Sequence, residues 1–157
     1  MENYLDVLEE SLKKKSRLLD ELAEISQKQL ALIDSEDMTP ESYDVYVDEK
    51  SERIDALTKL DDGFATLYEN IGKQLEQNKD KYRSQIQNLQ RLITEVTEKS
   101  VSLQALEARN KSKVEAYFAR EKQSIRIARQ TSKAALNYYQ NMNDSKNVQA
   151  QFLDKKK

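Results

Sequence analysis

The chain of 157 residues has no cysteine, no histidine and no tryptophan, and only two glycines and one proline. Each absence removes a class of answer. Without cysteine there is no disulfide framework and no thiolate chemistry, which is compatible with a cytoplasmic address. Without cysteine or histidine, the common zinc ligands and the Ser/His/Asp and Cys/His nucleophile pairs are missing, and so is the commonest general base. Gly63 and Gly72 cannot build a phosphate-cradling loop. Catalysis by carboxylates alone would need acidic side chains on the inward faces of helices, and most of them here fall off the apolar stripes. The expectation is therefore a protein that is not an enzyme and has no metal or cofactor. No apolar run approaches the ~20 residues a membrane span needs. The acidic, amphipathic start MENYLDVLEE resembles neither a signal nor a transit peptide.

What the chain does have is 38% hydrophobic and 34% charged residues, a balance that favours long helices over sheets. Its length suits one domain with a modest core. The net charge of -2 hides an asymmetry. Residues 1–62 carry 18 acidic and 8 basic side chains, a net of -10, and residues 63–157 carry 10 and 18, a net of +8. Halves of opposite sign attract when the chain folds back on itself, which favours an intramolecular hairpin over a nucleic-acid binder.

Residues 80–128 read as the spine. Tyr82, Ile86, Leu89, Ile93 and Val96 alternate by steps of four and three, which keeps one helix face apolar. Further on, Leu103, Val114 and Tyr117 share that face with Ser100, Glu107, Asn110, Glu121 and Ser124. The first part reads as a bundle seam, and the second as a loosened stripe with more room for function. Before the spine, a first helix spans about residues 4–33, with Lys15, Ser26 and Gln29 interrupting its leucine stripe. Thr39 and Pro40 offer an N-cap and a first helical position, with Met38 and Tyr43 placed as a hydrophobic staple. The second helix then spans about residues 40–77 and passes through Asp61-Asp62-Gly63 without losing phase. A turn near Asn78, with Asp80 as a candidate cap, returns the chain.

These readings give an all-α fold: an antiparallel, coiled-coil-like bundle of three long helices over residues 1–128. Residues 129–157 form a partly helical or flexible tail. Counting residues from each turn, the spine outruns its neighbours near Phe118, so an overhanging C-terminal helical arm is expected. The arm carries apolar groups that call for a partner or for folding back. The candidate partner-binding residues are Leu103, Leu106, Asn110, Val114, Tyr117, Phe118, Ile125, Tyr138 and Tyr139. Tyr138 and Tyr139 have two readings, packing on the bundle or covering an empty binding face. The eight basic residues of 109–133 read as a solvated helix face, not a nucleic-acid or membrane surface.

Several stretches resemble the FlgN-type flagellar export chaperones. They are Glu49-Lys50 with Ile54, Leu57 and Leu60; Glu98-Lys99-Ser100-Val101; and Leu103-Gln104-Ala105-Leu106-Glu107-Ala108-Arg109-Asn110. Ala135 to Met142, with Phe152-Leu153 near the end, looks like the versions found in clostridia-like bacteria. The resemblance covers nearly the whole chain through soft helical motifs. It implies a small cytoplasmic helical chaperone, monomeric or weakly dimeric, with cargo binding from about Leu103 onward. Its cargo would be the C-terminal segments of hook-filament junction (hook-associated) proteins, held for delivery to the export apparatus. FliT-like chaperones of the filament cap protein share the build, and a homodimerising structural coiled coil is the alternative of another class.

Overall fold

The computed structural model describes residues 2–119 together with Lys133, Ala135, Asn137 and Tyr138. Three long helices account for the contiguous part: α1 (Glu2–Ile33), α2 (Pro40–Gln77) and α3 (Arg83–Phe118). Among the described residues there is no strand, and no helix is long and apolar enough to cross a membrane.

Local chemistry sets the turns. Thr39 has extended backbone, and its hydroxyl accepts from the Ser42 N–H while the Ser42 hydroxyl accepts from the Thr39 N–H, both at 3.0 Å. This reciprocal box satisfies two donors that would otherwise be orphaned at the start of α2. Pro40 follows where its missing N–H costs nothing, and Met38 and Tyr43 are buried in one cluster, as a staple requires. Thr39→Ala should lower the unfolding free energy by about 1 kcal/mol. A urea titration that showed no change in midpoint would mean that the box contributes nothing. The second turn differs from expectation in one respect. Asp80 caps nothing; it accepts from Arg83 at 3.0 Å, and α3 begins after Tyr82 without a side-chain cap. The ring of Tyr82 is buried in the core instead, so packing fixes this entry. Through Asp61-Asp62-Gly63, α2 is continuous.

α1 is the central element. It packs against both α2 and α3, whereas the backbones of α2 and α3 come no closer than 8 Å between Cα atoms away from their connecting turn. α1 and α3 run parallel, and their side-chain pairs keep a nearly constant offset: Glu9 with Asn88, Asp20 with Lys99, Ser26 with Glu107, Asp34 with Lys113. The core divides into three apolar compartments. One lies at the α2–α3 turn, with Leu5, Leu8, Leu12, Phe64, Ile71 and Leu89 among its members. A middle one holds Leu19, Leu22, Leu57, Val96 and Leu103. The third lies at the α1–α2 turn, with Met38, Tyr43, Val114 and Phe118. Fully burying each such side chain stabilises the fold by roughly 1.5–3 kcal/mol before entropy is counted.

The overhang expected beyond Phe118 does not hold at Ala135 and Tyr138. Both are helical and buried, and both belong to the middle compartment. The physical reason is the width of the α2–α3 separation. Where the backbones of α2 and α3 stay apart, Ala135 and Tyr138 pack in the same apolar cluster as Leu57 and Leu103.

Candidate functional site

Two polar layers separate the three compartments. They are built from the residues that interrupt the apolar stripes. In the first, the Lys15 ammonium, with its side chain 3% exposed, donates to Asp61 Oδ1 at 2.6 Å. The Tyr138 hydroxyl donates to the other oxygen of the same carboxylate at 3.2 Å. Asp61 thus ties α1 to α2 and holds Tyr138. Nearby, Lys99 donates to Ser16 at 2.7 Å and to Asp20 at 2.8 Å, clamping α1 to α3. Burial works against the Lys99 charge, but hydrogen bonds and attraction from Asp20 and Glu95 prevail and raise its pKa.

The second layer joins all three helices. Lys50 on α2 meets both carboxylate oxygens of Glu107 on α3, at 2.5 and 2.6 Å, and donates to Gln29 Oε1 on α1 at 3.0 Å. The Ser26 hydroxyl donates to Glu107 at 2.5 Å, and Asn110 Nδ2 donates to the Ser26 carbonyl at 3.1 Å. The Lys50 and Glu107 side chains are 3% and 5% exposed. Desolvation pushes the Lys50 pKa down, and Glu107 only partly offsets it. Tyr43 is buried close by, and desolvation, reinforced by the Glu107 charge, holds its hydroxyl well above the ordinary tyrosine range. Two atoms of the layer, Gln29 Nε2 and Asn110 Oδ1, have no hydrogen-bond partner among the described residues.

The residues expected to bind a partner fall into three places. Leu103, with the half-buried Leu106 beside it and Tyr138 across, belongs to the middle compartment. Asn110 lies in the second polar layer. Val114, Phe118 and the half-buried Tyr117 close the end compartment. Leu103, Asn110, Val114, Phe118 and Tyr138 are all buried. Ile125 and Tyr139 lie outside the described residues. The structure therefore brings Leu103, Leu106 and Tyr138 together at the middle compartment, where Leu103 and Leu106 also line a groove against Leu19, Asp20 and Ala23 of α1, and it does not join them to the end cluster as one open surface. Sequence reasoning placed Glu107 on the apolar face of α3 but did not single out Lys50, Glu107 or Asp61 as candidate functional residues. Their signal is present in the spacing: Tyr43, Val47, Lys50, Ile54 and Leu57 keep steps of four and three, which puts a lysine on the inward face.

The described residues contain no group of three or more carboxylates placed to hold a metal. Lys50 and Tyr43, whose surroundings are the most strongly desolvating, lie inside the bundle. Comparisons with known proteins find no match: none among family models, curated proteins or solved structures.

Proposed function

We propose that this protein is a non-enzymatic, cytoplasmic export chaperone of the FlgN type. It binds the C-terminal segments of hook-associated proteins, prevents their premature assembly and delivers them for export. The observation that carries this reading is that the middle compartment, where α2 and α3 have no close backbone contact, is completed by two residues from beyond the three helices, Ala135 and Tyr138. There Ala135 packs against the middle compartment, and Tyr138 adds a ring whose hydroxyl reaches Asp61. A small residue followed three places later by an aromatic is what one face of a helix presents. A cargo segment that is disordered alone and helical when bound would offer the same face to Leu57, Leu103 and Leu106. Tyr138 then acts as a cover over the cargo site.

Removal of residues 130–157 should tighten binding of a cargo C-terminal peptide, read by calorimetry on a variant whose helicity is unchanged. Unchanged or weaker binding would count against the cover. A pull-down with the C-terminal segments of hook-junction and cap proteins tests the reading itself. Capture of the junction segments supports it, capture of the cap segment alone points to a FliT-like role, and capture of neither defeats it. The competing scaffold reading needs the apolar stripes for dimerisation, yet they are consumed within one chain. Exposed large apolar side chains among the described residues are scattered, at Tyr4, Val7, Val45 and Val101.

A further inference from the structure

The side chain of Asp61 on α2 is only 11% exposed, and its two oxygens have different partners. Oδ1 accepts from the Lys15 ammonium at 2.6 Å, so that contact is complete within the three helices. Among the described residues, the donor that reaches Oδ2 is the Tyr138 hydroxyl at 3.2 Å, and it comes from beyond them. The ring of Tyr138 packs in the middle compartment with Leu57 and Leu103. Ala135, 1% exposed, sits three residues earlier in the same cluster. Residues three apart share one face of a helix. Whatever covers this compartment therefore meets an apolar floor and one carboxylate oxygen that needs a donor.

With the middle compartment as the cargo site, a reading on which this step rests, we propose that Asp61 makes the site selective for a helix bearing a small residue and, three places on, a tyrosine. The Lys15 charge already balances the Asp61 carboxylate, so a cation from the occupant would be buried without a counter-charge. An acidic side chain would face Asp61 as a like charge. An amide would bring a donor but also a carbonyl oxygen to be paired. Phenylalanine would fill the same apolar space, shut water out and leave Oδ2 without a donor, and leaving a buried charged group unpaired costs more than a made hydrogen bond contributes. A neutral hydroxyl on an aromatic body meets both demands. Sites built to hydrogen-bond a hydroxyl reject the analogue lacking it far more strongly than an apolar pocket rejects a change of one methylene. At the first position, a side chain larger than that of the enclosed Ala135 would overpack against Leu57 and Leu103.

The test has one arm within the chain and one with peptides. In the full chain, Tyr138→Phe should lower the Tm by about 3–6 °C. In a Lys15→Met, Asp61→Leu background, where no carboxylate awaits a donor, the same substitution should have almost no effect. Equal shifts in the two backgrounds would overturn the proposal. For the second arm the full chain carries Ala135→Glu and Tyr138→Ala, which unseat its own occupant, and the probe is a labelled synthetic peptide copying residues 130–143. Fluorescence anisotropy should show about tenfold or weaker binding when the peptide carries Tyr138→Phe, and about fivefold or weaker binding when it carries Ala135→Leu. Adding Lys15→Met and Asp61→Leu to the protein should abolish the first difference. Equal binding of the tyrosine and phenylalanine peptides would sink the proposal, as would no binding of either. Peptides that discriminate in this way, alongside a pull-down that captures no hook-junction segment, would defeat the chaperone reading and leave the donor requirement at Asp61 supported.

Discussion

Glu107→Ala is expected to cost the fold about 3–5 kcal/mol, more than any surface substitution. The side chain accepts from the Lys50 ammonium and the Ser26 hydroxyl at a point where all three helices meet. Its removal leaves the ammonium enclosed, with only the Gln29 amide oxygen at 3.0 Å. Burial already depresses the Lys50 pKa against the attraction of Glu107; without that attraction the depression deepens. The sign of the resulting pH dependence follows. A folded-state pKa below the unfolded one means that the folded state holds fewer protons in the window between them. Stability of the variant therefore rises with pH through that window, and the full penalty is felt below it. The single loss overstates what the pair contributes. Lys50→Met combined with Glu107→Met should recover most of it, and apolar replacement of a buried pair can even stabilise by about 1–4 kcal/mol. Urea titrations of the two single variants and the double variant give the coupling directly. If Glu107→Ala costs less than about 1 kcal/mol, the pair is solvated and the layer is not the enclosed junction described above.

That layer also shows how far the sequence can be read. The ends of α1 and α2 are legible because turn chemistry is local: Thr39, Pro40, Met38 and Tyr43 act within six residues of one another. The continuity of α2 through Gly63 is legible because helical phase survives there. The polar breaks are visible too, but one helix at a time. Ser26 and Gln29 on α1, or Ser100, Glu107 and Asn110 on α3, each read as a weakened stripe. Only the parallel register of α1 and α3 sets Ser26 against Glu107 and Gln29 against Asn110, turning separate defects into one layer. Register is a non-local property, fixed by how the apolar compartments on either side interdigitate. The return of Tyr138 to the bundle is legible only as one of two readings, and the place where it and Ala135 pack is not, for a related reason. It depends on the α2–α3 separation, which follows from α1 serving as the common partner, and no local pattern encodes that width. Asp61 illustrates the cost. On α2 alone it looks like part of a turn signal, yet it pairs Lys15 and holds Tyr138.

Phe118→Ala should destabilise the protein by about 3–5 kcal/mol. The ring is 1% exposed at the last residue of α3. It meets Tyr43 edge-on, with centroids 6.2 Å apart and planes at 87°, and Tyr117 at 5.0 Å and 82°. Such pairs add about 0.5–1.5 kcal/mol each beyond area burial. Around them lie Met38 and Val114, so truncation leaves a cavity that three helix ends must collapse to fill. The loss should also be local. The second polar layer separates this compartment from the middle one, so amide exchange should accelerate first near Met38, Tyr43 and Val114 and last near Leu22 and Leu57. Phe118→Leu keeps most of the volume and should lose much less. Because Phe118 is also a candidate partner-binding residue, the two roles separate by temperature. Well below its lowered Tm the Phe118→Ala variant should bind a partner as the parent does, if the ring's work is internal packing. A stability loss under about 1 kcal/mol, together with lost binding, would instead mean that the compartment opens to admit the partner and that Phe118 belongs to the binding surface.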